Sequence, residues 1–223
     1  MKKLNLLKIT FFAAFGMLIF GCDIINPDEK IPSYLEITSM TVTDLPNVNE
    51  GSLSSNITHV NVFIDNPQSG QNEALGIVEL PATIPILLSG EFQINVEPVI
   101  KSNGSVFSLN SYPYYETVTF TRTLTEGEVT SVSLETTYKE DLSFDFIEDF
   151  EFGVTFFTRN AESASPNEIK VFEDGAYEGK SGRIELDTSN AGFIITTQNP
   201  IPLDLTQTGL IYMELNYKTD IPI

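Results

Sequence analysis

Short runs of β-branched and aromatic residues, separated by turn-forming residues, are the feature that most restricts the fold of this 223-residue chain. Val, Ile, Thr, Phe and Tyr favour strands, whereas Gly, Pro, Asn and Ser bound them. No stretch after residue 21 has the period of a convincing amphipathic helix. The pattern therefore predicts an all-β protein built as a sandwich. The runs that predict strands lie at 34–43, 58–65, 74–81, 91–100, 117–124 and 129–138.

The run at 58–65 has the clearest alternation. Side chains two residues apart share a face of a strand, so we expect Val60, Val62 and Ile64 to point into the core and His59 to point away from it. His59 is the only histidine of the chain, and no GxSxG-type nucleophile motif accompanies it. A hydrolytic triad requires a base beside a nucleophile, so the sequence favours a structural or surface histidine and predicts no catalytic residue.

The first 21 residues have the order of a secretory leader. Lys2, Lys3 and Lys8 precede an uncharged, mostly apolar run at 9–20. That run is shorter than the roughly 20 apolar residues that a membrane-spanning helix needs, and its length suits a signal peptide. We therefore expect the chain to be exported.

The leader ends in LIFGC, residues 18–22, which resembles the lipobox of bacterial lipoproteins. The resemblance implies that residues 1–21 are a lipoprotein signal peptide and that Cys22 is acylated on its sulfur. The protein would then be held in the cell envelope, as an outer-membrane lipoprotein on the periplasmic side or at the cell surface. Residues 22–33, with two prolines, would be the lipidated cysteine and its tether. The alternative is a free or buried thiol in an uncleaved protein.

The mature chain is strongly acidic. Without the three leader lysines it keeps 9 basic and 31 acidic residues, a net charge of −22. Nucleic acids and anionic membranes are bound through basic surfaces, so we expect neither as a partner. Because Cys22 is the only cysteine, its acylation would also exclude a disulfide, a catalytic thiol and a cysteine-ligated metal.

The stretch ALGIVELPATIPILLSGEFQINVEPVI, residues 74–100, resembles PEGA-type β-sandwich modules of envelope proteins. That resemblance implies a spacer or interaction scaffold, and we place this module at 34–138. Pro81 and Pro85 cannot donate to a sheet ladder, so the residues themselves predict an edge strand or a crossover at this point.

From residue 139 the pattern changes. FIEDFEFG, GKSGRIEL and YMELNYK, taken in that order, resemble the galactose-binding-like jelly rolls of carbohydrate-binding modules. The resemblance implies a jelly roll over 139–223 and a glycan ligand. A jelly roll has about eight strands and this stretch supplies about five, so we expect the domain to continue beyond residue 223. A naturally short sheet is the alternative.

An acidic cluster opens this second region, at Asp145, Glu148, Asp149 and Glu151. Carboxylates suit calcium, and on a strand Asp149 and Glu151 would share a face, so they are the candidate ligands of a structural calcium. A solvated acidic run is the alternative. A glycosidase pair is a third interpretation, which the absence of tryptophan disfavours.

Three tyrosines at 111–120 are candidate ligand-binding residues. Tyr112, Tyr114 and Tyr115 lie beside a serine and a proline, and exposed tyrosines stack on sugar rings. Packing between elements is the alternative. The sequence thus predicts a lipid-anchored, non-enzymatic envelope binding protein, with glycan as the leading ligand. The alternative is a structural or assembly lipoprotein that binds another envelope protein.

Overall fold

The structure, a computed structural model, describes most of the chain after the leader. The described residues are 29–46, 50–53, 56–67, 69–102, 105, 107–142, 144–189, 192–203 and 211–220. The predicted signal peptide and Cys22 lie outside them. Within the described residues, no helix has the length and apolar character needed to cross a membrane.

The described residues are all-β, as the sequence predicts. The strands are β1 (Ser33–Val42), β2 (His59–Asn66), β3 (Gln71–Glu79), β4 (Ala82–Ile86), β5 (Gly90–Lys101), β6 (Leu109–Ser111), β7 (Val118–Leu124), β8 (Val129–Thr136), β9 (Phe157–Arg159), β10 (Lys170–Phe172), β11 (Ser181–Arg183) and β12 (Ile195–Thr197). The six predicted strands are confirmed as β1, β2, β3, β5, β7 and β8.

Strands β1 to β8 form two sheets. One sheet has the order β4-β1-β8, with β1 and β8 parallel. The other has the order β3-β2-β5, and both β6 and β7 pair with the free edge of β5. Apart from β1–β8, the neighbours in these two sheets are antiparallel.

The core lies between the two sheets. Val60, Val62 and Ile64 of β2 are fully buried, which confirms the predicted alternation of this strand. Leu35 and Ile37 of β1 belong to the same buried cluster. The period-2 pattern of the sequence is therefore the direct cause of the sandwich: each sheet turns one apolar face inwards.

Strand β4 was not among the predicted strands. It contains Pro85, which lies opposite Tyr34 in the register with β1. The strand pairs with β1 alone and is therefore an edge strand, where a proline, which has no N–H to donate, is tolerated. The prediction of an edge strand or a crossover is confirmed: Pro85 lies in an edge strand, and Pro81, which follows a cis peptide bond, lies where the chain passes from one sheet to the other.

The region after residue 139 is built differently. Its four strands have three residues each and form two separate pairs, β9 with β12 and β10 with β11. Among its described residues, the buried side chains are two serines, Ser163 and Ser165. The jelly roll expected here stays a prediction.

Hydrogen bonds from one arginine hold together the loop between β9 and β10. The Arg159 guanidinium donates to the carbonyl oxygens of Ser163, at 2.9 Å, and Ser165, at 2.6 Å. The Ser163 hydroxyl in turn accepts the backbone N–H of Ile194, just before β12. These polar contacts connect the loop to the segment that enters β12.

Candidate functional site

An open groove of about 290 Å³ lies in the second region. Two segments far apart in sequence form it: the acidic opening of the region, and the end of β12 with the turn that follows. Its lining residues are Asp145, Phe146, Ile147, Phe156, Thr197, Gln198, Asn199, Pro200, Ile201 and Pro202. The groove therefore combines aromatic and aliphatic walls with carboxylate, amide and hydroxyl groups.

The pairing of β9 with β12 brings the two sides of the groove together. Thr197 lies opposite Phe157 in this pair. The next residue, Gln198, donates its backbone N–H to the Phe156 carbonyl at 2.8 Å and its side-chain amide to the Thr155 carbonyl at 2.9 Å. These bonds fix Gln198 beside Phe156, whose side chain is 50% exposed.

Glu148 fixes the other side of the loop that presents Phe156. One of its carboxylate oxygens accepts the Phe150 N–H at 2.9 Å. The other accepts the Thr155 hydroxyl at 2.9 Å and the Phe156 N–H at 2.6 Å. A carboxylate that accepts several hydrogen bonds orders the backbone around it. Glu148, one of the four clustered acids, is thus a positioning residue for the groove.

The structure places Glu151 in a turn and Asp149 just before it. The Asp149 carboxylate accepts the Glu151 N–H at 3.0 Å, and the Glu151 carboxylate accepts the Lys180 N–H at 2.7 Å. The Lys180 ammonium group donates to the Glu151 carbonyl at 2.8 Å. Residues 144–156 form no strand, so the alternation that was expected to put the two carboxylates on one face does not apply.

No group of three or more His, Cys, Asp and Glu side chains in the described residues is arranged to hold a metal ion. Calcium binding by Asp149 and Glu151 stays a prediction. Their contacts are structural: Glu151 joins the acidic opening of the region to the segment before β11, and Asp149 accepts the Glu151 N–H.

The three predicted ligand-binding tyrosines lie together, outside the groove. Tyr112 and Tyr115 are buried at 6% and 5% exposure, and Tyr114 is half-buried. The Tyr112 ring contacts both neighbours edge-on, with centroids 5.5 Å from Tyr114 and 4.7 Å from Tyr115. Sugar stacking by these residues stays a prediction, and in this structure their rings contact one another.

Two further tyrosines complete this tyrosine cluster. The Tyr212 ring lies 5.2 Å from that of Tyr112, and the Tyr138 ring lies 4.7 Å from that of Tyr115. The first pair is edge-to-face and the second is tilted, and aromatic pairs at these separations are favourable beyond their buried area. The cluster therefore attaches the segment 211–220 to the first sandwich.

Glu214 provides the polar contacts of the cluster. Its carboxylate accepts the Tyr112 hydroxyl at 2.5 Å and the Tyr138 hydroxyl at 2.8 Å. Burial, followed by the Glu214 hydrogen bond and charge, raises the pKa of the Tyr112 hydroxyl well above its ordinary range. Tyr112 is thus a neutral donor to Glu214 at physiological pH.

Sequence reasoning found only part of the groove. It singled out Asp145 in the acidic cluster and the segment FIEDFEFG, which supplies Phe146 and Ile147, but it did not connect them with Phe156 or Gln198. The polar turn QNP directly after a strand was the available signal, since binding residues concentrate in loops at strand ends.

Comparison with protein-family models, with curated proteins and with solved structures finds no match to this chain.

Proposed function

We propose that this chain is a lipid-anchored, non-enzymatic binding protein of the bacterial cell envelope, and that it holds a neutral glycan in the groove. The observation that carries the proposal is the half-exposed Phe156 ring, held beside Gln198 at the mouth of the groove. The groove has a volume of about 290 Å³, which is at the lower limit of ligand pockets, roughly 300–1,000 Å³. The ligand is accordingly a unit of about one sugar ring.

The chemistry of the groove walls suits a sugar. A sugar ring has apolar C–H faces and a rim of hydroxyl groups. Phe156 offers an aromatic face for the former. Asp145, Thr197 and Asn199 offer hydrogen-bond acceptors and donors for the latter.

The charge of the chain selects among glycans. A net charge of −22 in the mature chain repels anionic polymers. The proposed ligand is therefore an uncharged polysaccharide or a chain of neutral sugars. Attachment through Cys22 would hold the groove near the membrane and turn the protein into a local receptor for that glycan.

The use of the acidic cluster supports a non-enzymatic role. Glu148 accepts three hydrogen bonds from its own loop, and Glu151 is held by Lys180. Carboxylates engaged in this way stabilise local structure. A glycosidase requires two that face the scissile bond across a cleft.

A second candidate function is favoured by a specific surface. In the segment 211–220, alternate apolar side chains are exposed: Ile211 at 52%, Met213 at 84%, Leu215 at 66% and Tyr217 at 68%. Tyr212, between them, contacts the tyrosine cluster. The segment thus has two faces: one contacts the tyrosine cluster, and the other is apolar and exposed. An exposed apolar face of this kind suits a protein partner, as expected of an assembly lipoprotein.

Retention of the mature chain on a panel of neutral and anionic polysaccharides tests the glycan proposal. The chain is expressed from residue 23, without lipid. Phe156→Ala should abolish retention, whereas Phe152→Ala, an 82% exposed phenylalanine outside the groove, should leave it unchanged. Equal loss in both variants, or no retention of the unmodified chain on any glycan, would contradict the glycan proposal and favour the protein-partner function.

The same retention measurements, made once with calcium and once with EDTA, test the predicted metal site. Retention or thermal stability that depends on calcium, and that is lost in Asp149→Asn and Glu151→Gln, would assign these residues as ligands. A response identical in calcium and EDTA would leave them with the turn contacts alone.

A further inference from the structure

Three exposed aliphatic side chains gather at one end of the sheet β4-β1-β8. Ile31 is 60% exposed, Leu87 is 60% exposed and Val129 is 57% exposed. Single exposed aliphatic residues are ordinary on protein surfaces, but a cluster of them indicates a contact surface. We call Ile31, Tyr34, Pro85, Leu87 and Val129 the proximal patch, because the chain from Cys22 reaches the sandwich here.

The sheet register builds the central row of this patch. Tyr34 lies opposite Pro85 on one side and opposite Val129 on the other. Directly opposed residues of neighbouring strands have side chains about 5 Å apart, so the three form one continuous strip. Leu87 stands two residues beyond Pro85, just after β4 ends.

Hydrogen bonds hold the edges of the proximal patch in place. The Ser33 hydroxyl donates to the carbonyl oxygens of Ile86, at 3.1 Å, and Leu88, at 2.9 Å, on either side of Leu87. The Gly127 N–H donates to the Pro32 carbonyl at 2.9 Å, and a side chain at Gly127 would lie 3.8 Å from the Ile31 methyl group. The exposed side chains therefore extend from ordered backbone.

We propose that the proximal patch rests on the surface of the lipid bilayer, among neutral headgroups. The inference rests on the proposed acylation of Cys22. Ile31 follows Cys22 by only nine positions in the sequence. Since an extended chain spans at most about 3.5 Å per residue, the patch cannot lie more than about 30 Å from the anchored sulfur.

The tether makes a weak contact sufficient. A short linker confines the two surfaces at an effective concentration in the millimolar range, so a few aliphatic contacts, too weak to bind free vesicles on their own, bias the orientation. Strand β1 leads away from the patch for ten residues, about 33 Å. The far end of β1 would thus point away from the membrane.

Acidic residues beside the proximal patch select the lipid. Glu126 and Glu128 are exposed in the turn that precedes Val129. Anionic headgroups would be repelled by them and by the charge of the whole chain. The patch therefore suits zwitterionic phosphatidylethanolamine or phosphatidylcholine.

Tryptophan fluorescence tests the contact, because the chain contains no tryptophan. Val129→Trp puts a single fluorophore in the patch, and Tyr177→Trp, at an 80% exposed position outside it, is the matched control. Each mature chain is coupled through Cys22 to a maleimide lipid in phosphatidylcholine–phosphatidylethanolamine vesicles that carry brominated acyl chains. This coupling makes the test independent of acylation in the cell.

The tryptophan at 129 should lose about half of its emission to the brominated lipid, because interfacial apolar side chains lie about 5–10 Å into the headgroup–acyl boundary. The control should lose almost none. The double change Ile31→Glu and Leu87→Glu, added to Val129→Trp, should remove the quenching, and so should vesicles rich in phosphatidylglycerol. Equal quenching at 129 and 177, or none at 129, would overturn the bilayer contact and leave the glycan proposal intact.

Mass spectrometry of the chain expressed from its own leader checks the anchor separately. An acyl mass on Cys22 supports the proposed function. An unmodified Cys22 would contradict the proposed anchoring and would remove the bilayer as the occupant of the patch.

Discussion

Tyr112 donates a hydrogen bond of 2.5 Å to Glu214, a residue 102 positions further along the chain. Tyr112 is buried in the first sandwich, and Glu214 belongs to an exposed segment. The pair therefore fixes that segment to the sandwich through a charge-assisted bond between a neutral phenol and a carboxylate. It is the polar centre of the tyrosine cluster.

Replacing Glu214 should destabilise this attachment. Glu214→Ala removes the carboxylate that accepts hydrogen bonds from the Tyr112 and Tyr138 hydroxyl groups, and both of these groups are buried. Hydrogen bonds to charged groups contribute about 1.5–3 kcal/mol each, so we expect the free energy of unfolding in urea to fall by about 2 kcal/mol or more. Glu173→Ala, at an exposed glutamate, should change it by less than about 0.5 kcal/mol. Equal effects would mean that the two hydrogen bonds do not stabilise the protein.

The raised pKa of Tyr112 predicts a loss of stability in alkali. The unfolded chain releases this proton near pH 10, whereas the folded chain keeps it to higher pH. Above pH 10 the unfolded state therefore binds fewer protons, and the free energy of unfolding falls with pH by about 1.4 kcal/mol per unit for this group. Urea unfolding between pH 8 and pH 11.5 measures the slope. Tyr112→Phe should reduce the slope by the contribution of one proton, about 1.4 kcal/mol per pH unit. An unchanged slope would contradict a raised pKa at Tyr112.

The sequence predicted the parts of the fold that depend on local pattern. In β2 and β5, alternate residues such as Val62 and Ile94 are apolar and buried, and period two is readable without any tertiary information. Strand β4 could not be predicted in this way, because Pro85 argues against a strand until its place at a sheet edge is known. Strand β6 has only three residues and no period to read.

The sites depended on contacts between distant residues, which a single sequence does not display. Phe156 and Gln198 meet because β9 pairs with β12. Tyr112 and Glu214 meet although they are 102 positions apart in the sequence. The tyrosine motif was visible at 111–120, but its partners Tyr138 and Tyr212 were not.

Glu148 should affect binding without contacting the ligand. Its carboxylate holds the loop that presents Phe156, so Glu148→Ala should weaken retention on the bound glycan by about tenfold or more, equivalent to the loss of one charge-assisted hydrogen bond. Glu148→Gln keeps one carbonyl acceptor and should recover part of the affinity. Asp149→Ala, which removes a single turn contact, should have the smaller effect. Identical affinities for all three variants would exclude a positioning role for Glu148.

The two halves of the molecule should exchange amide hydrogens at different rates. Strands β2 and β5 lie in the centre of a five-stranded sheet over a buried core, whereas β9 to β12 have three residues each and no buried apolar side chain among their described residues. Local opening is easier where few apolar contacts must be broken. Hydrogen exchange followed by mass spectrometry should show early exchange at 144–203 and late exchange at 59–101. Uniform exchange would indicate one cooperative unit.

The most direct test of the account is to map the ligand on the protein. Amide NMR spectra of the mature chain, titrated with a neutral oligosaccharide chosen from the retained polysaccharide, report which residues respond. We predict that the largest shifts fall on the groove, at Phe146, Phe156, Thr197 and Gln198, and that they disappear in Phe156→Ala. Shifts confined to the apolar stripe at 211–217, or to the tyrosine cluster, would contradict a glycan site in the groove.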